Sequence, residues 1–243
     1  MSKKYTKLFL SKFITLDVIN ILSKIYKEMH LIYKMHYYIL SFIVISIIDL
    51  LVYQRSSRWY LTHFLINLVN TILTWSSVIS LIQNPIYYNE NYSSILLPNS
   101  LTISLQVYHI LVYKNISLID WIHHVVMTIT LLITYIFPIP ALSNYAIFFI
   151  CGFPGCIDYM LLALVKERYI DIITEKKMNS YLNIWIRSPG IIIGICILYL
   201  KWLYLTELIP VSTLLGVSIV MFWNAQYFCY RVVRNYGAKS VRY

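Results

Sequence analysis

The chain has 243 residues, a mean hydropathy of +0.67, 59% hydrophobic residues and 12% charged ones. That is more apolar surface than a soluble core of this size can hide, so an ordinary soluble enzyme is excluded and an integral membrane protein is expected. The net charge of +10 does not indicate nucleic acid, because Lys and Arg gather in the N-terminal arm, the short loops and the C-terminus, where they mark cytosolic membrane faces.

Residues 1–36 hold seven lysines between apolar positions such as Leu8, Phe13, Ile14, Val18 and Leu22. This spacing predicts a helix lying in the membrane interface, and residues 1–37 are read as a basic amphipathic arm with no cleavable signal peptide. A span needs about 20 mainly apolar residues to cross hydrocarbon roughly 30 Å thick. Candidates fall at 38–54, 59–83, 101–114, 117–137, 140–166, 181–205 and 208–230, the third being short and able to extend back to 95. The predicted fold is all-α: a multi-pass transmembrane bundle over 38–234, of about seven spans, followed by a basic tail at 235–243.

Arg55, Arg58, Lys166, Arg168, Lys176, Lys177, Arg231, Arg234, Lys239 and Arg242 would share one face, read as cytosolic. The loop 84–100 has Glu90, no Lys or Arg, and an Asn91-Tyr-Ser93 glycosylation sequon, as expected of a luminal loop. An odd number of spans would place the N-terminal lysines on the luminal side, against the positive-inside rule. Cys151, Cys156, Cys196 and Cys229 lie in apolar runs without zinc-type spacing and are read as buried small hydrophobes.

The second span places His63, Asn67, Asn70 and Thr74 at intervals of four, three and four, a polar stripe that lipid will not face. Gln106 and His109 follow on the third. The fourth holds Asp120, His123 and His124, three ionisable groups in one costly setting. Asp120 lies three and four residues before the two histidines, so its carboxylate can reach either ring. Neighbouring helical side chains differ by about 100° in direction, so one imidazole is expected to point into a cavity and the other to pack sideways. Asp158 lies in the fifth span and Arg187 in the sixth, and an ion pair between them is one reading of both. Trp223, Asn224, Gln226 and Tyr227 cluster on the seventh. Many of these groups have an ordinary use as interhelical hydrogen-bond glue, and the breaks at Pro154-Gly155 and Pro189-Gly190 as kinks.

No His-Glu-x-x-His spacing points to zinc and no Gly-x-Ser-x-Gly elbow to a serine nucleophile. A histidine acting as base or nucleophile, its tautomer fixed by Asp120, fits better.

His123-His124, followed by a Thr-rich apolar run and Tyr135, then Asp158-Tyr-Met-Leu-Leu-Ala-Leu-Val-Lys166, resembles the TLC domain shared by ceramide synthases, translocating-chain-associated membrane proteins and a neuronal ceroid lipofuscinosis protein. Arg58 to His63, Arg187-Ser-Pro189 and the aromatic-Asn-Gln-aromatic end of the last span support the likeness, which covers roughly residues 38–234. The resemblance implies a six-helix core plus one helix, a chamber centred on the histidines and residence in the endoplasmic reticulum. It also implies acyl-CoA-dependent N-acyl transfer, with His123 or His124 taking the acyl group or deprotonating the amine and Asp158 as the second acid of a His-Asp-x-Ser-Asp element. Pro154, Gly155 and Ile157 depart from that element.

The expected catalytic set is therefore His123, His124, Asp120 and Asp158, and the lipid-binding set His63, Asn67, His109, Arg187 and Asn224. No metal or resident cofactor is expected. The leading reading is a protein that binds, senses or handles a fatty acyl chain, sphingoid base or sterol. The alternative is an acyltransferase with acyl-CoA as co-substrate, its phosphates met by Lys176, Lys177, Arg168 or Arg231. A transporter would want a continuous charged path, which Arg187 and Asp158 alone do not make.

Overall fold

The computed structural model describes residues 35–113, 117–136, 140–204 and 210–241; the predicted amphipathic arm lies outside them, apart from its last residues. Among the described residues there is no strand. The helices are α1 (Met35–Leu51), α2 (Arg58–Gln83), α3 (Leu96–Val112, entered through a 3₁₀ turn at Tyr92–Ile95), α4 (Leu118–Ile136), α5 (Pro140–Lys166), α6 (Ile172–Tyr204) and α7 (Val211–Ser240). Five stretches, α2, Ser93–Val112, α5, α6 and α7, are long and apolar enough to cross a membrane; α1 and the apolar part of α4 are shorter. The third predicted span does extend back past residue 95, and the region read as a C-terminal tail continues α7 as far as Ser240.

Burial is inverted relative to a soluble protein. Leu50, Ile72, Leu111, Ile193 and Ile219 are exposed, whereas Asn70, Thr74, Asn99 and Asn144 are fully buried. Such an apolar exterior suits hydrocarbon, while the polar groups find partners inside. Thus Asn70 Nδ2 donates to Thr102 Oγ1 at 3.1 Å, and Asn144 Nδ2 donates to Ser77 Oγ and Glu90 Oε2 at 3.1 and 2.8 Å. Of the four free cysteines Cys156 is buried and Cys151 and Cys229 half-buried, but Cys196 is exposed, because it falls on the apolar outer face of α6 rather than in the core.

The two Pro-Gly breaks are more than kinks. Each is preceded by a π-helical turn, Phe148–Gly152 in α5 and Asn183–Arg187 in α6. Proline has no N–H to donate and its ring crowds the carbonyl four residues back; widening the preceding turn removes both conflicts without ending the helix. The helices meet closely here: a Cβ on Gly190 would lie 2.0 Å from Phe149 Cδ1, and Tyr145 Oη donates to the Gly190 carbonyl at 3.0 Å.

At the end of the bundle bearing Arg58, a buried ionic network ties α1 to α2 and α3. Asp49 accepts from Arg58 through both carboxylate oxygens, from Tyr108 Oη at 2.6 Å, from Tyr113 Oη at 2.7 Å and from Thr62 Oγ1 at 3.2 Å. The α5–α6 connection lies at this end too. Arg168 has φ 65°, and the N–H groups of Arg168 and Tyr169 return to the carbonyls of Val165 and Leu164, a Schellman closure. Asp171 then caps α6, accepting from Thr174 N at 2.8 Å and Thr174 Oγ1 at 2.6 Å. Those hydrogen bonds, the hydroxyl's first, hold its carboxyl below the ordinary carboxylate range. At the opposite end the buried Lys201 Nζ donates to the carbonyls of Ile86 and Tyr88, fastening the 84–91 loop to α6.

Candidate functional site

The inward stripe of α2, the His-His turn of α4, the π turns of α5 and α6 and the polar end of α7 surround one chamber of about 430 Å³. All nine residues picked from the sequence line it: His63, Asn67, His109, Asp120, His123, His124, Asp158, Arg187 and Asn224. Trp59, Tyr60, Tyr159 and Asn179 line it as well; sequence reasoning passed over them, and for Trp59 and Tyr60 at the start of α2 nothing local distinguishes a cavity wall from a membrane anchor.

Four imidazoles form a ring-to-ring series around Trp59. The Trp59 ring lies 3.7 Å from that of His63 and 3.4 Å from that of His109, centroid to centroid. His109 is 4.5 Å from His124, which is 5.7 Å from His123, and His63 packs on Tyr159 at 4.4 Å. The expectation that only one member of the His-His pair reaches the cavity is corrected. Their divergence on the helix sends His124 toward His109 on α3 and His123 toward Phe228 on α7, at 4.9 Å, and the chamber wraps around both.

Asp120 also departs from expectation. Its carboxylate accepts from Ser117 Oγ at 2.6 Å while its N–H donates back to that oxygen at 3.2 Å, and Arg231 approaches at 3.9 Å. This reciprocal arrangement closes the first turn of α4 in the manner of a capping box, and among the described residues the carboxylate makes no hydrogen bond to either imidazole. Among the described residues, the buried Nδ1 of His109, His123 and His124 has no hydrogen-bond partner. His63 differs: its Nδ1 faces the Trp59 carbonyl at 3.1 Å and must therefore donate, which leaves Nε2 as the lone-pair nitrogen.

Arg187 and Asp158 do not pair directly. They are joined through amides: Arg187 Nη1 donates to Asn183 Oδ1 at 3.1 Å, Asn183 Nδ2 to Asn179 Oδ1 at 2.7 Å, and Asn179 Nδ2 to Asp158 Oδ1 at 2.6 Å. The three α6 residues are spaced by four, so one face of the helix displays the whole relay; that spacing was available in the sequence. Gly155 lies opposite. A Cβ there would come 2.9 Å from Asn67 Nδ2 and 3.8 Å from Arg187 Nη2, so a side chain at the position where the resembled family has an acid would have to displace the Asn67 amide.

Two further spaces adjoin the chamber. An apolar pocket of about 50 Å³, walled by Met127, Leu131, Ala146, Leu198, Val217 and Met221 among others, shares Thr102, Ile150 and Cys151 with it. A vestibule of about 330 Å³ shares Tyr60, Leu162 and Asn235, and bears Lys166, Lys176 and Lys239 with the buried Glu175, which pairs with Lys176 at 2.8 Å. Of the cations expected to meet phosphates, Lys176 lines the vestibule and Arg231 the chamber, whereas Arg168 and Lys177 are exposed and line neither. Among the described residues, no three of His, Cys, Asp and Glu gather closely enough to hold a metal ion.

The fold and site thus define an all-helical protein with membrane-length apolar helices around an ionisable chamber. Comparison with protein-family models, with curated proteins and with solved structures gives no match to this chain.

Proposed function

We propose that this chain is a TLC-like, multi-pass protein of the endoplasmic reticulum or a related intracellular membrane, with seven spans, that binds or handles a lipid in the chamber. The observation that supports this best is the join between the polar chamber and the apolar pocket at Thr102, Ile150 and Cys151. A head with hydrogen-bonding groups can lie among the histidines while the first few carbons of its chain enter the small apolar space, a division of polar and apolar lining that suits an amphiphile. The partners on this reading are membrane lipid and the bilayer itself. The test is native mass spectrometry of the purified protein. A co-purifying lipid lost in a variant that fills the junction, Cys151→Trp, is the expected result; protein free of lipid in several mild detergents would refute it.

The second reading, an acyl-CoA-dependent N-acyltransferase, is favoured by one observation, the held tautomer of His63. Its Nε2 lone pair is set to accept a proton from an amine, whereas among the described residues nothing holds Nδ1 of His123 or His124. On this reading the acyl-CoA phosphates lie near Lys166, Lys176 and Lys239. Incubation with radiolabelled acyl-CoA and long-chain amines would yield amide, and His63→Ala would abolish it. Absence of turnover across chain lengths would remove this reading and leave the first standing.

A further inference from the structure

We infer that the chamber takes a lipid whose head carries an anion and an ammonium together, the anionic oxygens seated on Arg187 and the ammonium on Asp158. This rests on the lipid-binding reading and narrows it to one class of head.

A guanidinium and a carboxylate in a cavity among membrane helices are cheapest when paired directly. This chain holds them apart instead, through Asn183 and Asn179, and the relay occupies only part of each group. Arg187 uses Nη1 on Asn183; among the described residues its buried Nε has no partner and no carboxylate lies within ion-pair distance of it. Bare Gly155 leaves the Nη2 edge uncovered. Among the described residues Asp158 has one hydrogen bond, through Oδ1, and its second oxygen has none. Both residues line the same chamber.

A singly charged head fits this arrangement poorly. An anion on Arg187 would face the like charge of Asp158, and an amine on Asp158 would face Arg187. A head with both charges satisfies the free edge of the guanidinium, which suits anionic oxygens, and the free carboxylate oxygen, which accepts from an ammonium. The other opposed pair of the chamber, Asp120 and Arg231, already meets at 3.9 Å with both side chains nearly half exposed, and so presents no such gap. Phosphoethanolamine-type and amino-acid-type heads share this chemistry.

The test measures binding of four single-chain probes to the full-length protein in micelles: oleoyl lysophosphatidylethanolamine, a single-chain ornithine lipid, oleoyl lysophosphatidic acid and oleylamine. At least one of the two zwitterions should bind about tenfold or more tighter than either probe of one charge sign, and which one does so identifies the source of the head. Arg187→Gln should lower the zwitterion to the level of oleylamine, and Asp158→Asn to that of lysophosphatidic acid. Lysophosphatidic acid or oleylamine binding as well as both zwitterions would overturn the inference, as would equal losses for all four probes in both variants. The wild-type ranking decides the matter even if a variant fails to fold. If a lipid of one charge sign binds best, only this inference falls; if no probe binds and no lipid co-purifies, the lipid-binding reading falls with it.

Discussion

Replacing Asp49 by Leu should unfold the Arg58 end of the bundle before any other part. The carboxylate is fully buried and accepts from the Arg58 guanidinium, two tyrosine hydroxyls and Thr62. Removing one member of a buried ion pair costs about 3–5 kcal/mol, because the partner charge keeps its desolvation penalty and loses its compensation. Arg58 retains 25% of its side-chain exposure and can turn partly to water, which places the expected loss near the lower end, about 3 kcal/mol. Tyr113→Phe, which leaves the carboxylate its other donors, should cost about 1 kcal/mol. Unfolding by SDS in mixed micelles measures both. The decisive comparison is Asp49→Leu combined with Arg58→Met, which removes both charges and should recover much of the stability lost by Asp49→Leu alone. If the double variant is no more stable than the single one, or if Asp49→Leu costs less than about 1 kcal/mol, the network does not hold the helices in the way argued.

Gly190→Ala should destabilise by about 1–3 kcal/mol, since its Cβ would meet the Phe149 ring, whereas Gly216→Ala, with nothing within 4 Å, should be neutral or gain up to about 1 kcal/mol of helix propensity; thermal-shift measurements on the two compare them directly. Arg168→Gly should raise stability by about 1 kcal/mol by relieving a left-handed residue, and an unchanged or lower melting temperature would count against the Schellman closure. Because the hydrogen bonds from Thr174 depress the Asp171 carboxyl, its cap is complete at neutral pH and is lost as pH falls below the ordinary carboxylate value of about 4. Asp171→Ala should therefore melt below the wild type at pH 7, with the difference shrinking on acidification; a constant difference would refute the assignment.

Periodicity made much of the bundle legible. The His63-Asn67-Asn70-Thr74 stripe could be placed on an inward face because its polar positions recur with the helical repeat, and all four residues are buried. The convergence of those groups with His109, the α4 histidines and Asn224 followed from the rule that lipid does not face them. The Asp49 network was not legible: Tyr108 and Tyr113 lie 59 and 64 residues along the chain, and nothing local tells a tyrosine that meets a carboxylate from one at the membrane interface. Asp120 misled for a related reason. Its distance from His123 and His124 allows contact with either, but the same residue stands at the helix start, where Ser117 takes it. The Arg187 relay fell between the two cases, its spacing visible but its acceptor, Asp158, on another helix.

The widened turns ahead of Pro154 and Pro189 have a geometric consequence for how this bundle tolerates change. A residue added to or removed from a helix rotates everything beyond it by about 100°, so deleting one residue from Asn183–Arg187 would swing the stretch from Ser188 to Tyr204 off its register with α5 and α7. Gly190 would leave Phe149, and the latch at Lys201 would come away from Ile86 and Tyr88. These two short segments act as phase shifters between the half of each helix that builds the hollow and the half that seals the far end. Point substitutions there should be absorbed far more readily than any single-residue insertion or deletion.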